Sequence, residues 1–164
     1  MPTHYKGNKE DRRALNAYIN LARASETIFA RLGADLEGRG LTLGQFGALE
    51  ALLHLGPMCQ QELGGKLLRS RGNMTLVIDN LERHGWVRRE RLEDDRRKFL
   101  VRLTAEGQRL IERIFPLHVR KIVKEFSRLE PAEQETLRRL CRKLGRGVES
   151  GGDEDASAPK PNAR

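Results

Sequence analysis

Ser70-Arg71-Gly72-Asn73-Met74-Thr75-Leu76-Val77-Ile78-Asp79-Asn80-Leu81-Glu82-Arg83-His84-Gly85 is the stretch on which the fold turns. Met74, Val77, Ile78 and Leu81 recur at helical spacing and give the segment one apolar side. Ser70 is a good N-cap for a helix running from Arg71 to His84, and Gly85 supplies a left-handed stop. The opposite side carries Arg71, Asn73, Thr75, Asp79, Asn80 and Arg83. An apolar back behind a front of Asn, Thr and Arg holds groups that can reach base edges and phosphates.

Upstream, Cys59-Gln60-Gln61-Glu62 opens a shorter helix, with Cys59 where Ser or Thr would usually cap and Glu62 where a carboxylate reaches back. Gly64-Gly65 weakens this helix by on the order of 1 kcal/mol per glycine relative to alanine, so packing through Leu63, Leu67 and Leu68 must hold it. Before it lies a helix capped by Thr42 with Gln45 three places on, carrying Phe46, Leu49, Leu52 and Leu53 and ended by Gly56-Pro57. The first helix runs from about Glu10 to Leu36, with Leu15, Tyr18, Ile19, Ala22, Phe29, Leu32 and Leu36 on its stripe.

Downstream, Trp86 to Arg91 and Lys98 to Leu103 read as two strands of a hairpin, the second turning Phe99, Val101 and Leu103 inward. Between them Leu92-Glu93-Asp94-Asp95-Arg96-Arg97 makes a charged tip. Arg88, Arg89, Arg91, Arg96, Arg97, Lys98 and Arg102 concentrate positive charge along this hairpin, and a plain solvated turn is the alternative reading. Thr104 caps a long helix reaching about Leu129, with Pro116 a point of kinking, and Pro131 opens a last helix carrying Leu137, Leu140 and Leu144. From Arg146 the composition turns to Gly, Ser, Asp and Pro and reads as a disordered tail.

Composition agrees. The 164 residues are 33% charged and only 5% aromatic, which suits helices with one buried stripe, and the net charge of +8 attracts a polyanion. No apolar run is long enough to span a bilayer and the start of the chain is polar, which predicts a cytoplasmic protein with no membrane partner. The two cysteines, Cys59 and Cys141, stand outside any CxxC pair, and the four histidines follow no metal-ligand spacing. Neither a GxSxG nor a P-loop is present, so the reading is no enzyme, no metal and no cofactor.

Two short helices, a capped polar helix and a basic hairpin follow one another in the order of a winged helix-turn-helix. Gln60-Gln61-Glu62-Leu63, the stretch from Ser70 to Gly85, Asp95-Arg96-Arg97 and Leu103-Thr104-Ala105-Glu106-Gly107 together resemble the MarR family of transcriptional regulators, collinearly and over nearly all of the folded part. The fold class expected is mainly α with a small β wing: a winged helix-turn-helix flanked by N- and C-terminal dimerisation helices. Its expected parts are an N-terminal dimerisation helix over 1–40, the DNA-binding domain over 41–107, dimerisation helices over 108–145 and the tail over 146–164.

The resemblance implies a homodimer on a pseudo-palindromic double-stranded DNA operator. It assigns Ser70, Arg71, Asn73 and Thr75 to the groove side of the recognition helix, Gln60 and Gln61 to support, and Asp95 with Arg97 to the wing tip. There the aspartate fixes the planar fork of an arginine that enters the minor groove. Arg83 on the polar helix face and Arg96 at the hairpin tip add phosphate contacts.

The resemblance also implies a small aromatic effector beside the second helix, for which Arg23, Phe46 and His54 are the candidate residues. Surface charge, core packing and a helix-end histidine are their respective structural readings. Leu41-Thr42-Leu43-Gly44-Gln45-Phe46, Leu67-Leu68-Arg69-Ser70 and Gly72-Asn73-Met74-Thr75 look closer to the branch that responds to quinones and hydroquinones. Cys59 admits two readings: a small buried stand-in for a capping hydroxyl, or a thiol activated at a helix N-terminus that senses electrophiles. The expected function is therefore a sequence-specific regulator, by analogy a repressor relieved by ligand, and the alternative is an architectural DNA-binding protein without an effector.

Overall fold

The computed structural model describes residues 4–67, 71–91 and 99–146, the side chains of Arg71 and Arg146 excepted. The elements are α1 (Lys9–Glu37), α2 (Leu43–Leu55), β1 (Met58–Cys59), α3 (Gln60–Lys66), α4 (Arg71–Arg83), β2 (Val87–Arg91), β3 (Phe99–Leu103), α5 (Ala105–Phe126) and α6 (Pro131–Arg146). The fold is mainly helical with a small antiparallel sheet, as a winged helix requires. It falls into two compact units, Met1–Ile122 and Val123–Arg164.

Local chemistry fixes most of the boundaries. Thr42 Oγ1 accepts from the Gln45 backbone N–H at 3.2 Å while Gln45 Oε1 accepts from the Thr42 N–H at 2.8 Å, so both halves of the predicted capping box at α2 are made. At α3, Glu62 reaches back to the Cys59 N–H at 2.9 Å. The end of α4 is a six-residue closure: Trp86 N–H donates to Leu81 O at 3.0 Å, and Gly85 N–H to Glu82 O at 2.9 Å. Gly85 sits at φ 72°, the left-handed region that this closure needs.

The sheet order is β1-β3-β2. Val87 pairs with Leu103 and Arg91 with Phe99, while Met58 and Cys59 add a third edge against Val101 and Leu100. β1 is unforeseen because two residues carry no periodicity, and Cys59 reads from sequence as a helix cap or a sensing thiol rather than as strand. Phe99 is a correction: expected inward, it is 39% exposed, because it lies at the end of β3 farthest from the α5 junction and beyond the reach of the core. The Arg91 guanidinium covers its ring at 5.7 Å instead.

One core lies in the first unit. Leu36 and Leu41, the α2 residues Phe46, Leu49 and Leu52, Leu63 of α3, Met74, Ile78 and Leu81 of α4, Val87, Val101, and Ile111 and Ile114 of α5 are all buried. Burying each such side chain is worth about 1.5–3 kcal/mol, so α3, too short to persist alone, is held by Leu63. The joint between sheet and α5 is equally tight. Thr104 Oγ1 donates to Gly85 O at 2.6 Å and accepts from Gly107 N–H at 3.0 Å. A Cβ on Gly107 would stand 1.9 Å from Trp86 O, so only glycine fits there.

By contrast, the apolar stripe of α1 is buried only at its end. Leu32 and Leu36 are covered, whereas Tyr18 is 67% and Phe29 57% exposed. In the second unit, Val123, Leu140 and Leu144 are exposed as well.

Candidate nucleic-acid interface

Met74, Ile78 and Leu81 anchor α4 to the core, and Val77 is half-buried beside them. At 100° per residue, the direction opposite this anchor passes through Gly72, Leu76 and Arg83, flanked by Asn80 and Asn73 on one side and Asp79 and Thr75 on the other. Gly72, Asn73, Thr75, Leu76 and Arg83 are exposed.

A polar brace locks the Thr75 and Asp79 side to its neighbours. Gln60 at the start of α3 donates from Nε2 to Thr75 Oγ1 at 2.7 Å. Arg89 of β2 donates to Asp79 Oδ1 at 2.5 Å, to Glu82 Oε2 at 2.5 Å and, at 3.5 Å, to Gln60 Oε1, and its own backbone N–H donates to Glu82 Oε1 at 3.0 Å. Burial opposes the charge on Arg89, but hydrogen bonds to Asp79 and Glu82 outweigh it and raise its pKa above the ordinary value. The two carboxylates that a recognition helix would otherwise turn toward phosphate are thereby neutralised. One guanidinium joins α3, α4 and the sheet.

Other hairpin cations have local partners too. Glu90 takes Arg88 at 2.6 Å and Arg102 at 3.0 Å, chiefly through the Arg102 hydrogen bond, which lowers its pKa. The charge along this hairpin is smaller, among the described residues, than the count of its arginines suggested. Sequence reasoning placed Arg89 in the basic stripe and missed its bracing role. The signal was strand parity, since Arg89 shares the face of buried Val87 and so turns toward α4.

Of the residues read as DNA-contacting, Gln60 is half-buried in the brace, Thr75 takes its amide, and Gln61 and Asn73 are exposed. Arg83 donates to Asn80 Oδ1 at 3.1 Å, leaving it on the outward face. Arg71 opens α4. Ser70, Asp95, Arg96 and Arg97 lie outside the described residues. The tail read as disordered also lies outside them, from 147 on.

The effector candidates are spread differently. Phe46 is 3% exposed, stacked on Phe115 with centroids 6.5 Å apart and tilted onto His118 at 4.2 Å. His54 is exposed and meets the edge of Phe115 at 4.8 Å, so Phe115 links these two, while Arg23 is exposed on α1. Sequence reasoning passed over His118, which completes the buried i, i+3, i+7 stripe of Ile111 and Ile114. It is 4% exposed, and its Nδ1 has no hydrogen-bond partner among the described residues. Burial holds its pKa below the ordinary value against the pull of Asp35, itself held by Lys121 at 3.1 Å and Arg39 at 3.3 Å. Cys59 is half-buried and unbridged, and Cys141 is exposed.

A braced recognition helix beside a three-stranded sheet defines a winged helix-turn-helix. A family model described as the MarR family matches residues 41–99. The chain is 37% identical over 137 residues to the HTH-type transcriptional regulator YkoM of Bacillus subtilis (strain 168), covering 84% of this chain and 89% of that one. It is 31% identical to the HTH-type transcriptional regulator MhqR of the same organism, over 81% and 92% of the two chains. Among solved structures it resembles Sco3205, a MarR family transcriptional regulator from Streptomyces coelicolor in complex with DNA, with a TM-score of 0.78, 27% identity, and coverage of 91% and 96%. The chain belongs to the MarR family of DNA-binding transcriptional regulators, and family and fold alike point away from an enzyme.

Proposed function

We propose that the protein is a sequence-specific repressor that binds a pseudo-palindromic operator as a homodimer and is released by a small aromatic ligand or an electrophile. The observation that carries this reading is the Arg89 brace, which neutralises Asp79 and Glu82 while leaving the outward face of α4 open. Arg71, Asn73 and Thr75 discriminate bases in the major groove. Ser70, Gln60 and Gln61 position them, and Arg83 and Arg96 contact phosphate. Arg97, oriented by Asp95, enters the minor groove.

Exposed Tyr18 and Phe29 on α1 and exposed Leu140 and Leu144 on α6 support dimerisation through the regions 1–40 and 108–145, because a second copy is the economical cover for such residues. The domain over 41–107 is then the reader. Arg23, Phe46 and His54 are the proposed effector contacts, with Phe46 and His54 joined through Phe115, and quinones or hydroquinones are the proposed class. Cys59 is the alternative sensor. Ligand acts by making the DNA-competent separation of the two readers rare.

Fluorescence anisotropy on the upstream promoter duplex and on a shuffled duplex, at physiological salt, tests the reading. Preference for the promoter, weakened by Arg97→Ala and relieved by a quinone, is the expected result. Equal affinity for both duplexes supports an architectural protein instead, and binding to neither overturns the reading. A quinone response that survives Cys59→Ser rules out the thiol as sensor.

A further inference from the structure

Leu76 stands at the centre of the outward face of α4, directly opposite the core anchor, and is 63% exposed. A lone exposed leucine on most helices needs no explanation. Here the polar groups of Thr75, Asp79 and Asn80 beside it are engaged within the chain. Thr75 accepts from Gln60, Asp79 is held by Arg89, and Asn80 donates from Nδ2 to the Leu76 carbonyl at 2.9 Å while its Oδ1 accepts from Arg83. One turn earlier, Gly72 leaves open space: a Cβ there would meet nothing within 4 Å. The centre of the surface that α4 offers a groove is thus an isobutyl group beside a position with no side chain, with the Asn80 amide folded back onto the helix and Asn73 and Arg83 exposed around it.

An apolar knob gains nothing from a phosphate or from the donors and acceptors of base edges. In the major groove the apolar group on offer is the C5-methyl of thymine. We propose that Leu76 is a specificity-determining residue that reads one thymine methyl in each half-site, with Gly72 clearing room for the approach. This inference rests on the reading of the protein as a sequence-specific DNA binder. It adds a base preference that Arg71, Asn73 and Thr75 do not supply.

The test begins by selecting sites from a random duplex pool with the full-length protein. Each thymine of the selected site is then replaced by deoxyuridine, which removes one methyl and keeps every hydrogen-bonding group. Affinities are measured for wild type and Leu76→Ala, the latter losing only an exposed side chain. One symmetric pair of thymines is expected at which deoxyuridine weakens wild-type binding about fourfold per half-site, near the value of one buried methylene, with no further loss in Leu76→Ala. Selection with Leu76→Asn should change the base at that position.

A flat deoxyuridine scan, or a scan of equal depth in Leu76→Ala, overturns the role of Leu76 and leaves the regulator intact. Failure to enrich any sequence overturns sequence-specific binding, and this proposal with it.

Discussion

Arg89 carries three obligations at once, because it satisfies Asp79, Glu82 and the Gln60 amide from a side chain only 21% exposed. Truncation leaves two carboxylates facing each other on α4, so Arg89→Ala should lower stability by roughly 1.5–3 kcal/mol in urea unfolding. Arg89→Lys should recover part of that loss, since an ammonium cannot present the planar fork.

His118 gives a pH dependence whose sign follows from its burial. Its folded pKa lies below the unfolded value, so the unfolded chain binds more protons in between, and stability falls as pH drops through about 6.5 toward the lowered value. Asp35 acts at more acidic pH: the Lys121 hydrogen bond lowers its pKa, and that contribution is lost only as pH falls through the folded value below 3.8. Unfolding midpoints measured from about pH 8 to about pH 5 should therefore decline for wild type and stay flatter for His118→Phe. A slope unchanged by the substitution would assign the effect elsewhere.

Among the elements, those with a capping group and a long apolar stripe were legible from the sequence. Thr42 with Gln45, and Gly85 after Leu81, locate two helix boundaries through chemistry that acts within a few residues. What escaped depends on distant partners. β1 is two residues long and exists only because β3 offers an edge, and alternation along β3 could not say that the core ends before Phe99. In sequence His118 is one of four scattered histidines, and only its contact with Phe46, a partner far along the chain, marks it as core. The wing-tip roles of Asp95 and Arg97 and the groove role of Ser70 come from family resemblance, because no local pattern in the sequence says which groove a side chain enters.

The joint at Thr104 makes a prediction at this scale. Gly107→Ala forces either α5 or Trp86 to move and should cost on the order of 1–3 kcal/mol. Thr104→Ala, which loses a cap, should cost about 1 kcal/mol. Thermal melts of the two variants would rank them, and an unaffected Gly107→Ala would mean that the joint is looser than its geometry.

For the whole molecule, the exposed aromatics of α1 carry the quaternary prediction. Phe29→Asp and Tyr18→Asp should raise the dimer dissociation constant by roughly thirtyfold each, the scale of an aromatic interface anchor, as read by sedimentation velocity. The same variants should lose operator affinity more steeply than affinity for a single half-site. Unchanged sedimentation would mean that the partner covering α1 is something other than a second copy.

The Arg89 brace draws on Gln60, Asp79 and Glu82, and takes nothing from the side chains at positions 72 and 76. The residues that hold the reader in shape are therefore separate from two positions on its outermost surface. A library randomised at 72 and 76 should yield proteins that melt alike yet prefer different duplexes. In this lobe, vocabulary can drift while grammar stays fixed.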